Sequence, residues 1–279
     1  MTVAALTREA RAVVRGTGAR LTGRDLSAAA AGLTYFSALS LVPWLLLALW
    51  TTSWYHGDDG AERRWLALRV LVPPDMGARP AYDALVHAGT HLGVVGALVV
   101  LFPASFYGEG LRRAALAVAP APDRFTGWRA RLTLMPLVVL TPLVGWALLE
   151  SAELLVPLSP EGGGDGIGDR LLRIVIGFVA AWLVITPILA WVYGAVLPER
   201  PRWWVALVGG LATASFVAGF LHGFQLFLAI PVDVGIPYGG LGFVGGAVAV
   251  GLWLYVLHTV VLVGWAVTQA LESRVAGER

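Results

Sequence analysis

The segment SAAAAGLTYFSALSLVPWLLLALWTTSW, residues 27–54, decides the fold class of this protein. It contains no charged residue. A helix crosses the ~30 Å hydrocarbon layer of a bilayer with about 20 consecutive apolar residues, and this segment is longer than that. We therefore predict a transmembrane helix over residues 28–54.

The first half of this segment carries polar side chains at a regular spacing. Thr34, Ser37, Ser40 and Pro43 recur every three residues, which on a helix produces a slowly drifting stripe along one side. Pro43 lacks an amide hydrogen, so a kink is expected where the stripe ends. The stripe could line a path for a polar solute, with Tyr35 beside it. Alternatively, its hydroxyls bond the carbonyl four residues earlier, or let a neighbouring helix pack closely.

The composition of the whole chain is that of a polytopic membrane protein. Its residues are 57% hydrophobic and only 14% charged, and its mean hydropathy is +0.73. Soluble proteins carry about 25% charged residues. The absence of Cys excludes disulfides and thiolate metal sites. Several Arg residues precede a first apolar segment too long for a signal-peptide core, so no cleavable signal sequence is expected.

Further apolar segments follow the first one, and together they predict an all-α bundle of six transmembrane helices. The spans are predicted at about residues 28–54, 91–107, 132–156, 171–197, 203–230 and 239–271. They form one membrane domain, residues 27–271. A cytoplasmic basic segment at 1–26 precedes this domain and a short cytoplasmic tail at 272–279 follows it.

The distribution of Arg predicts the orientation of the spans, because cytoplasmic loops are enriched in basic residues. With residues 1–26 inside, fourteen Arg lie on the cytoplasmic side and six, diluted by acidic residues, lie outside. The inner set is Arg8, Arg11, Arg15, Arg20, Arg24, Arg112, Arg113, Arg124, Arg129, Arg131, Arg200, Arg202, Arg274 and Arg279. We therefore expect an N-in/C-in, multi-pass membrane protein.

The basic segment 1–26 has its own pattern. Arg8, Arg11 and Arg15 fall on one face of a helix, which predicts a short helix on the cytoplasmic lipid surface, in contact with anionic lipids. The alternative is a disordered basic tail. Because excess Arg in a membrane protein usually sets topology, no nucleic-acid partner is expected.

Ionisable groups inside the hydrocarbon layer are costly and mark candidate sites. His222 and Gln225 lie one turn apart in the fifth span, and His258 lies near the middle of the sixth. Two neutral histidines facing one cavity could shuttle protons or bind a polar or anionic solute. Equally, each could be buried and hydrogen-bonded to a backbone carbonyl.

Glycines are dense in the fifth and sixth spans. Small-xxx-small patterns such as Gly209-Gly210 and Gly219-x-x-x-Gly223 let helix backbones approach, and packing is their first interpretation. A cavity lined by bare backbone is the alternative. The turn around Tyr238, Gly239 and Gly242 could support a partly unwound start to the last span.

Enzyme signatures are missing from the sequence. It contains no HExxH, no P-loop, no GxSxG and no carboxylate cluster at metal spacing, so we expect no catalytic residue, metal site or cofactor. Glu109 follows the second predicted span beside Arg112 and Arg113, where a plain ion pair is its expected role.

Three stretches of the chain resemble the YihY/BrkB family of bacterial inner-membrane proteins. They are Gly32-Leu-Thr-Tyr-Phe-Ser-Ala-Leu-Ser-Leu-Val-Pro43, Tyr193-Gly-Ala-Val-Leu-Pro198 with Gly209-Gly210, and Tyr238-Gly-Gly-Leu-Gly242 with Trp253-Leu-Tyr255 and Gly264. Their order and spacing cover most of residues 25–270, and the resemblance implies the same six-span topology. A ribonuclease label once attached to this family finds no support in these residues.

The chain departs from the family pattern at two places. Trp265 and Ala266 stand where the family often carries a Glu, and residues 115–117 read Ala-Leu-Ala where it often carries an Asn. A proton- or cation-coupled role resting on those groups is therefore not carried over to this chain.

Taken together, these features favour a transporter or exporter of a small polar or amphipathic solute, or of a lipid. The expected path residues are Thr34, Tyr35, Ser37, Ser40, Pro43, His222, Gln225, Tyr238, Gly239, Gly242 and His258. The alternative is a non-transporting envelope scaffold or interaction protein, in which these residues serve packing. A membrane-embedded hydrolase ranks third because no nucleophile–base pair is evident, and a homo-oligomer is left open.

Overall fold

The protein is described by a computed structural model over residues 3–71, 78–120, 128–140, 167–228 and 234–277. Within these ranges the regular structure is helical throughout. The α-helices are α1 (Val3–Leu21), α2 (Leu26–His56), α3 (Asp58–Ala67), α4 (Arg79–Thr90), α5 (Gly93–Ala104), α6 (Phe106–Val118), α7 (Trp128–Leu134), α8 (Ile167–Trp191), α9 (Trp203–Leu228) and α10 (Gly242–Gly277). Short 3₁₀ segments lie at Leu68–Leu71, Met135–Leu140 and Ile236–Tyr238, and a π-helical segment, Val192–Val196, continues α8.

Five helical segments in these ranges are long and apolar enough to cross a membrane. They are Leu26–His56, Gly93–Val118, Ile174–Val196, Trp203–Gly223 and Gly242–Gly277. The predicted third span, residues 132–156, lies mostly outside the described residues. The all-helical, multi-span fold is confirmed for the described part of the chain, and the count of six spans stays a prediction.

The residues at the two ends of α2 explain where this helix begins and ends. Asp25 caps the start, since its Oδ1 accepts a hydrogen bond from the backbone amide of Ala28 at 2.8 Å. Gly57 ends the helix with a φ of +69°, which glycine adopts without a steric penalty. Pro43 lies inside α2, and the helix continues through it.

The second apolar segment continues past residue 107, where the predicted span ended. α5 and α6 together run from Gly93 to Val118, with Ser105 between them. The added turns contain Glu109, whose charge is balanced by two arginines, as described below. This pairing explains how the helix can carry charged residues at the edge of a span.

α2 lies at the centre of the described helices. It packs against α3, α4, α5, α6 and α10, while α9 packs against both α8 and α10. The fully buried core includes Leu33, Leu111, Tyr193, Leu262 and Trp265. Large apolar side chains cover the outer faces, for example Val95, Leu98, Val99 and Phe102 on α5. An apolar exterior of this kind suits helices that contact lipid.

α1 is a helix that docks on the last turns of α10. Arg20 forms an ion pair with Glu199 at 3.3 Å, and Arg274 of α10 forms one with Glu9 at 3.1 Å. The side chains of Arg8, Arg11 and Arg15 are exposed. The sequence left a helix and a disordered tail open for this segment, and the structure has the helix. The contact of its basic face with anionic lipid stays a prediction.

Candidate functional site

The polar stripe of α2 lies mostly within helix contacts. Ser37 and Ser40 are buried, and Thr34 is partly buried. The hydroxyls of Thr34 and Ser40 donate to the carbonyls four residues earlier, those of Ala30 and Phe36, at 2.9 and 2.8 Å. This is the local bonding that Ser and Thr commonly make in membrane helices.

α2 also bonds the backbone where α5 gives way to α6. Ser40 Oγ lies 3.2 Å from the carbonyl oxygen of Pro103, and Trp44 Nε1 donates to that of Ala104 at 3.0 Å. Carbonyls at a helix end need partners from outside the helix. Ser40, at the C-terminal end of the stripe, therefore helps to fasten α2 to the junction around Ser105.

Thr34, at the N-terminal end of the stripe, contacts the histidine of the last described span. His258 is 4% exposed. Its Nδ1 lies 3.0 Å from Thr34 Oγ1 of α2, and its Nε2 lies 3.4 Å from the hydroxyl of Tyr107 on α6. We call Thr34, Tyr107 and His258 the histidine network, which joins three spans through side chains.

The donors available in this network assign one neutral tautomer to His258 if the Thr34 hydroxyl donates to its own helix. Thr34 has one hydroxyl hydrogen, and it donates that hydrogen to the Ala30 carbonyl. Thr34 can therefore only accept from His258, so Nδ1 of the ring carries the hydrogen. In a neutral imidazole Nε2 is then an acceptor, and the Tyr107 hydroxyl donates to it. The result is a directed chain of hydrogen bonds from Tyr107 through His258 and Thr34 to Ala30.

His222 lies in a different contact. Its Nδ1 is 2.9 Å from the carbonyl oxygen of Ala218 on its own helix, and its ring centroid is 5.9 Å from that of Phe178 on α8. Its buried Nε2 has no hydrogen-bond partner among the described residues. His222 and His258 thus have different partners on different helices. The side chain of Gln225 lies outside what the structure describes.

The remaining predicted path residues lie apart from the histidine network. Tyr35 is 63% exposed on the outer face of α2. Tyr238 and Gly239 form the turn that leads into α10, and Gly239 has a φ of +67°. Gly242 is the first residue of α10, and His258 follows it by sixteen residues, about 24 Å along a helix.

A π-helical segment places a second buried tyrosine against α9 and α10. The hydroxyl of Tyr193 donates to the carbonyl of Val261 at 2.8 Å and lies 3.2 Å from Thr213 Oγ1. A Cβ built at Gly264 would lie 2.8 Å from that hydroxyl, so glycine is needed there for the approach. π-helical turns often occur at functional sites, although Tyr193 here satisfies a structural hydrogen bond.

The first turn of α6 carries a buried carboxylate that binds two arginines. Glu109 is 8% exposed and accepts hydrogen bonds from Nε of both Arg113 and Arg131 at 2.9 Å. The guanidinium of Arg131 also lies 4.2 Å from the ring centroid of Phe106. The cluster connects α6 to α7. The sequence analysis of Glu109 did not predict Arg131 as a partner.

A basic cavity of about 300 Å³ lies between the α1–α2 turn and the end of α6. Its lining includes Arg20, Arg24, Ala119 and Pro120. Positive side chains around an open cavity at the end of a span suit an anionic headgroup.

Two residues important to these arrangements were not singled out from the sequence. Tyr107 ends the predicted second span four residues after Pro103, and Arg131 stands in a run of arginines. The only sequence signal for Tyr107 was a polar-tipped aromatic at a span end, which is a common feature of membrane interfaces.

The family model described as Virulence factor BrkB matches residues 17–279. A UPF0761 membrane protein of Rhodospirillum centenum is 28% identical over 279 aligned residues, covering 97% of this chain and 60% of that protein. A UPF0761 membrane protein of Alkalilimnicola ehrlichii is 28% identical over 251 aligned residues, covering 88% of this chain and 54% of that protein. The chain thus spans little more than half the length of these relatives. No solved structure gives a significant match.

Proposed function

Since this chain belongs to the BrkB family of membrane proteins, we propose that it moves a small polar or amphipathic solute, or a lipid, across the bacterial inner membrane. The multi-span character of the chain is the firm basis of this proposal. The finer proposal includes six spans with N-in/C-in orientation. It includes no catalytic step.

The histidine network is the observation that carries the proposal. Burying a titratable ring among apolar helices is costly, and such residues in membrane proteins usually mark a solute or proton pathway. Among the described residues, His258 forms side-chain hydrogen bonds to α2 and α6, and in the proposed mechanism a small shift of α10 exchanges these bonds for others. A contact with two alternative arrangements is what an alternating-access protein requires.

A complementation experiment tests the role of His258. Solutes and lipids are profiled without preselection in a deletion strain that carries the wild-type chain, His258→Ala or His222→Ala. His222 is the matched control, because it is a histidine inside a different described span and lies outside the network. We expect the wild type and His222→Ala to restore the profile, and His258→Ala to fail at equal abundance in the membrane.

Two results would contradict this proposal. Full restoration by His258→Ala would remove the network from the mechanism. A deletion strain with unchanged solutes and lipids would remove transport itself.

A non-transporting scaffold is the second candidate, favoured by the burial of Ser37 and Ser40 in helix contacts. In a scaffold the Ser40 hydroxyl only fastens α2 to the α5–α6 junction, and Ser37 only fills a helix contact. This function predicts that deletion changes the set of proteins cross-linked in the envelope while the small molecules stay the same. The basic cavity around Arg20 and Arg24 is compatible with either candidate, as a contact for anionic lipid.

A further inference from the structure

The segment between the first two described spans contains a cluster of metal-ligating side chains. Glu62 lies on α3, His87 lies on α4, and His91 directly follows α4. One ligand atom from each residue lies within 4.8 Å of the other two. Glu62 Oε1 is 3.1 Å from His87 Nδ1, and Glu62 Oε2 is 3.9 Å from His91 Nδ1. The two imidazole centroids are 4.6 Å apart.

We propose that Glu62, His87 and His91 bind a divalent transition metal ion of the Zn²⁺ type. Two imidazoles and one carboxylate are a common ligand set for Zn²⁺, with water in the fourth position. Metal–ligand bonds of about 2.0–2.1 Å place tetrahedral ligand atoms about 3.3 Å apart. The side chains of His87 and His91 are 68% and 36% exposed, which leaves room for the small ring rotations that bring all three ligand atoms to this spacing.

The two histidines occupy a backbone position that suits joint ligation. His91 follows His87 by four positions, about one helical turn, so both side chains lie on the same side of the C-terminal end of α4. Between them the backbone is anchored to α2, since Ser53 Oγ donates to the Thr90 carbonyl at 2.9 Å. A Cβ at Gly89 would lie 2.6 Å from Leu49 Cβ, which shows how closely α4 lies against α2.

Further contacts hold α3 against α4. The Tyr82 hydroxyl donates to the Trp65 carbonyl at 2.6 Å, and Arg69 forms an ion pair with Asp83 at 3.0 Å. Burial, together with the charge of Asp83, raises the pKa of Tyr82 to about 12, so this hydroxyl keeps its hydrogen at all physiological pH values. The carboxylate and the imidazoles are therefore presented by elements with a fixed relative position, as a metal site requires.

The surroundings of the cluster also favour a cation. Asp58 and Asp59 lie one turn before Glu62 on α3 and add negative charge on its side of the helix. Arg64 contacts His56 Nε2 at 2.7 Å. In the proposed N-in orientation, the cluster lies on the outer face of the membrane.

A direct binding measurement tests this site. The full chain is purified in detergent, stripped with a chelator and titrated with Zn²⁺ by calorimetry. We expect one ion per chain at this site. We expect His87→Ala, His91→Ala and Glu62→Gln each to weaken Zn²⁺ binding by at least about 10–100-fold. Loss of an outer-sphere partner already has an effect of that size, and these three residues are the proposed direct ligands.

His56→Ala is the matched control, because His56 is exposed at the same end of α2 and lies outside the cluster. It should bind Zn²⁺ as the wild type does. All four changes are at partly or fully exposed side chains, and far-UV circular dichroism verifies that the variants fold. Equal affinity of the wild type and the three cluster variants would overturn the proposal, as would a loss in His56→Ala as large as that in His91→Ala. The test is independent of transport, so its failure leaves the proposed function untouched.

Discussion

At the residue scale, the two arginines that bind Glu109 differ strongly in exposure, although both belong to one cluster. The side chain of Arg131 is 15% exposed and stacks on Phe106, whereas that of Arg113 is 60% exposed. Charge pairs that are shielded from water lose far more when broken than exposed pairs do. The two arginines should therefore contribute unequally to stability.

We predict that Arg131→Gln lowers the free energy of unfolding by about 3 kcal/mol, because it removes the shielded partner of a buried carboxylate. Arg113→Gln should cost less than about 1 kcal/mol, because water screens that pair. Unfolding of the purified chain in mixed micelles, followed by circular dichroism, measures both. Equal losses in the two variants would contradict the assignment of Arg131 as the main partner.

The roles of single polar residues could be predicted only in part. The spacing of Thr34, Ser37 and Ser40 was visible in the sequence, and the local bonding of Thr34 and Ser40 was one of its two interpretations. The sequence grouped His222 with His258, but helical periodicity does not say which neighbouring helix each ring faces. That depends on tertiary packing, which placed Tyr107 beside one ring and Phe178 beside the other.

At the element scale, glycines let α9 approach its neighbours closely. A Cβ built at Gly210 would lie 2.7 Å from the backbone nitrogen of Ala190 on α8. At Gly209 it would lie 2.8 Å from Thr268 Cγ2 on α10. The packing interpretation of these glycines from the sequence therefore agrees with the geometry.

We predict that Gly210→Ala lowers the free energy of unfolding by about 1–3 kcal/mol, since the new methyl group meets backbone that cannot rotate away. Gly32→Ala on α2 is the control, because a Cβ there has nothing within 4 Å. That control should be neutral or stabilising by up to about 1 kcal/mol from helix propensity. Thermal unfolding of both variants in the same detergent tests the pair, and a Gly210→Ala variant as stable as Gly32→Ala would contradict it.

Helix positions were easier to predict than helix ends. Apolar length alone indicated the spans around α2, α8, α9 and α10. It placed the end of the second span near residue 107, since charged residues begin at Glu109. The helix extends to Val118 because Arg131, distant in sequence, supplies the counter-charge, and no local pattern reveals such a partner.

At the scale of the whole molecule, α2 connects the features discussed above. Its N-terminal half joins the histidine network, its middle fastens the α5–α6 junction, and its C-terminal end supports the α3–α4 segment with the proposed metal site. A rearrangement of α2 would therefore affect all three. This central position is why the stripe on α2 is the decisive place to test for a solute path.

Cysteine accessibility along α2 is the measurement that tests the central claim most directly, and the native chain contains no Cys to interfere. Single cysteines are placed at Thr34, Ser37 and Ser40, and control cysteines at Leu33 in the core and Leu45 on the outer face. A water-soluble thiol reagent is then applied to membranes. If α2 lines a path that opens to water, the three stripe positions react and the two controls do not. Uniform protection of all five positions would contradict a solute path and leave the scaffold as the better account.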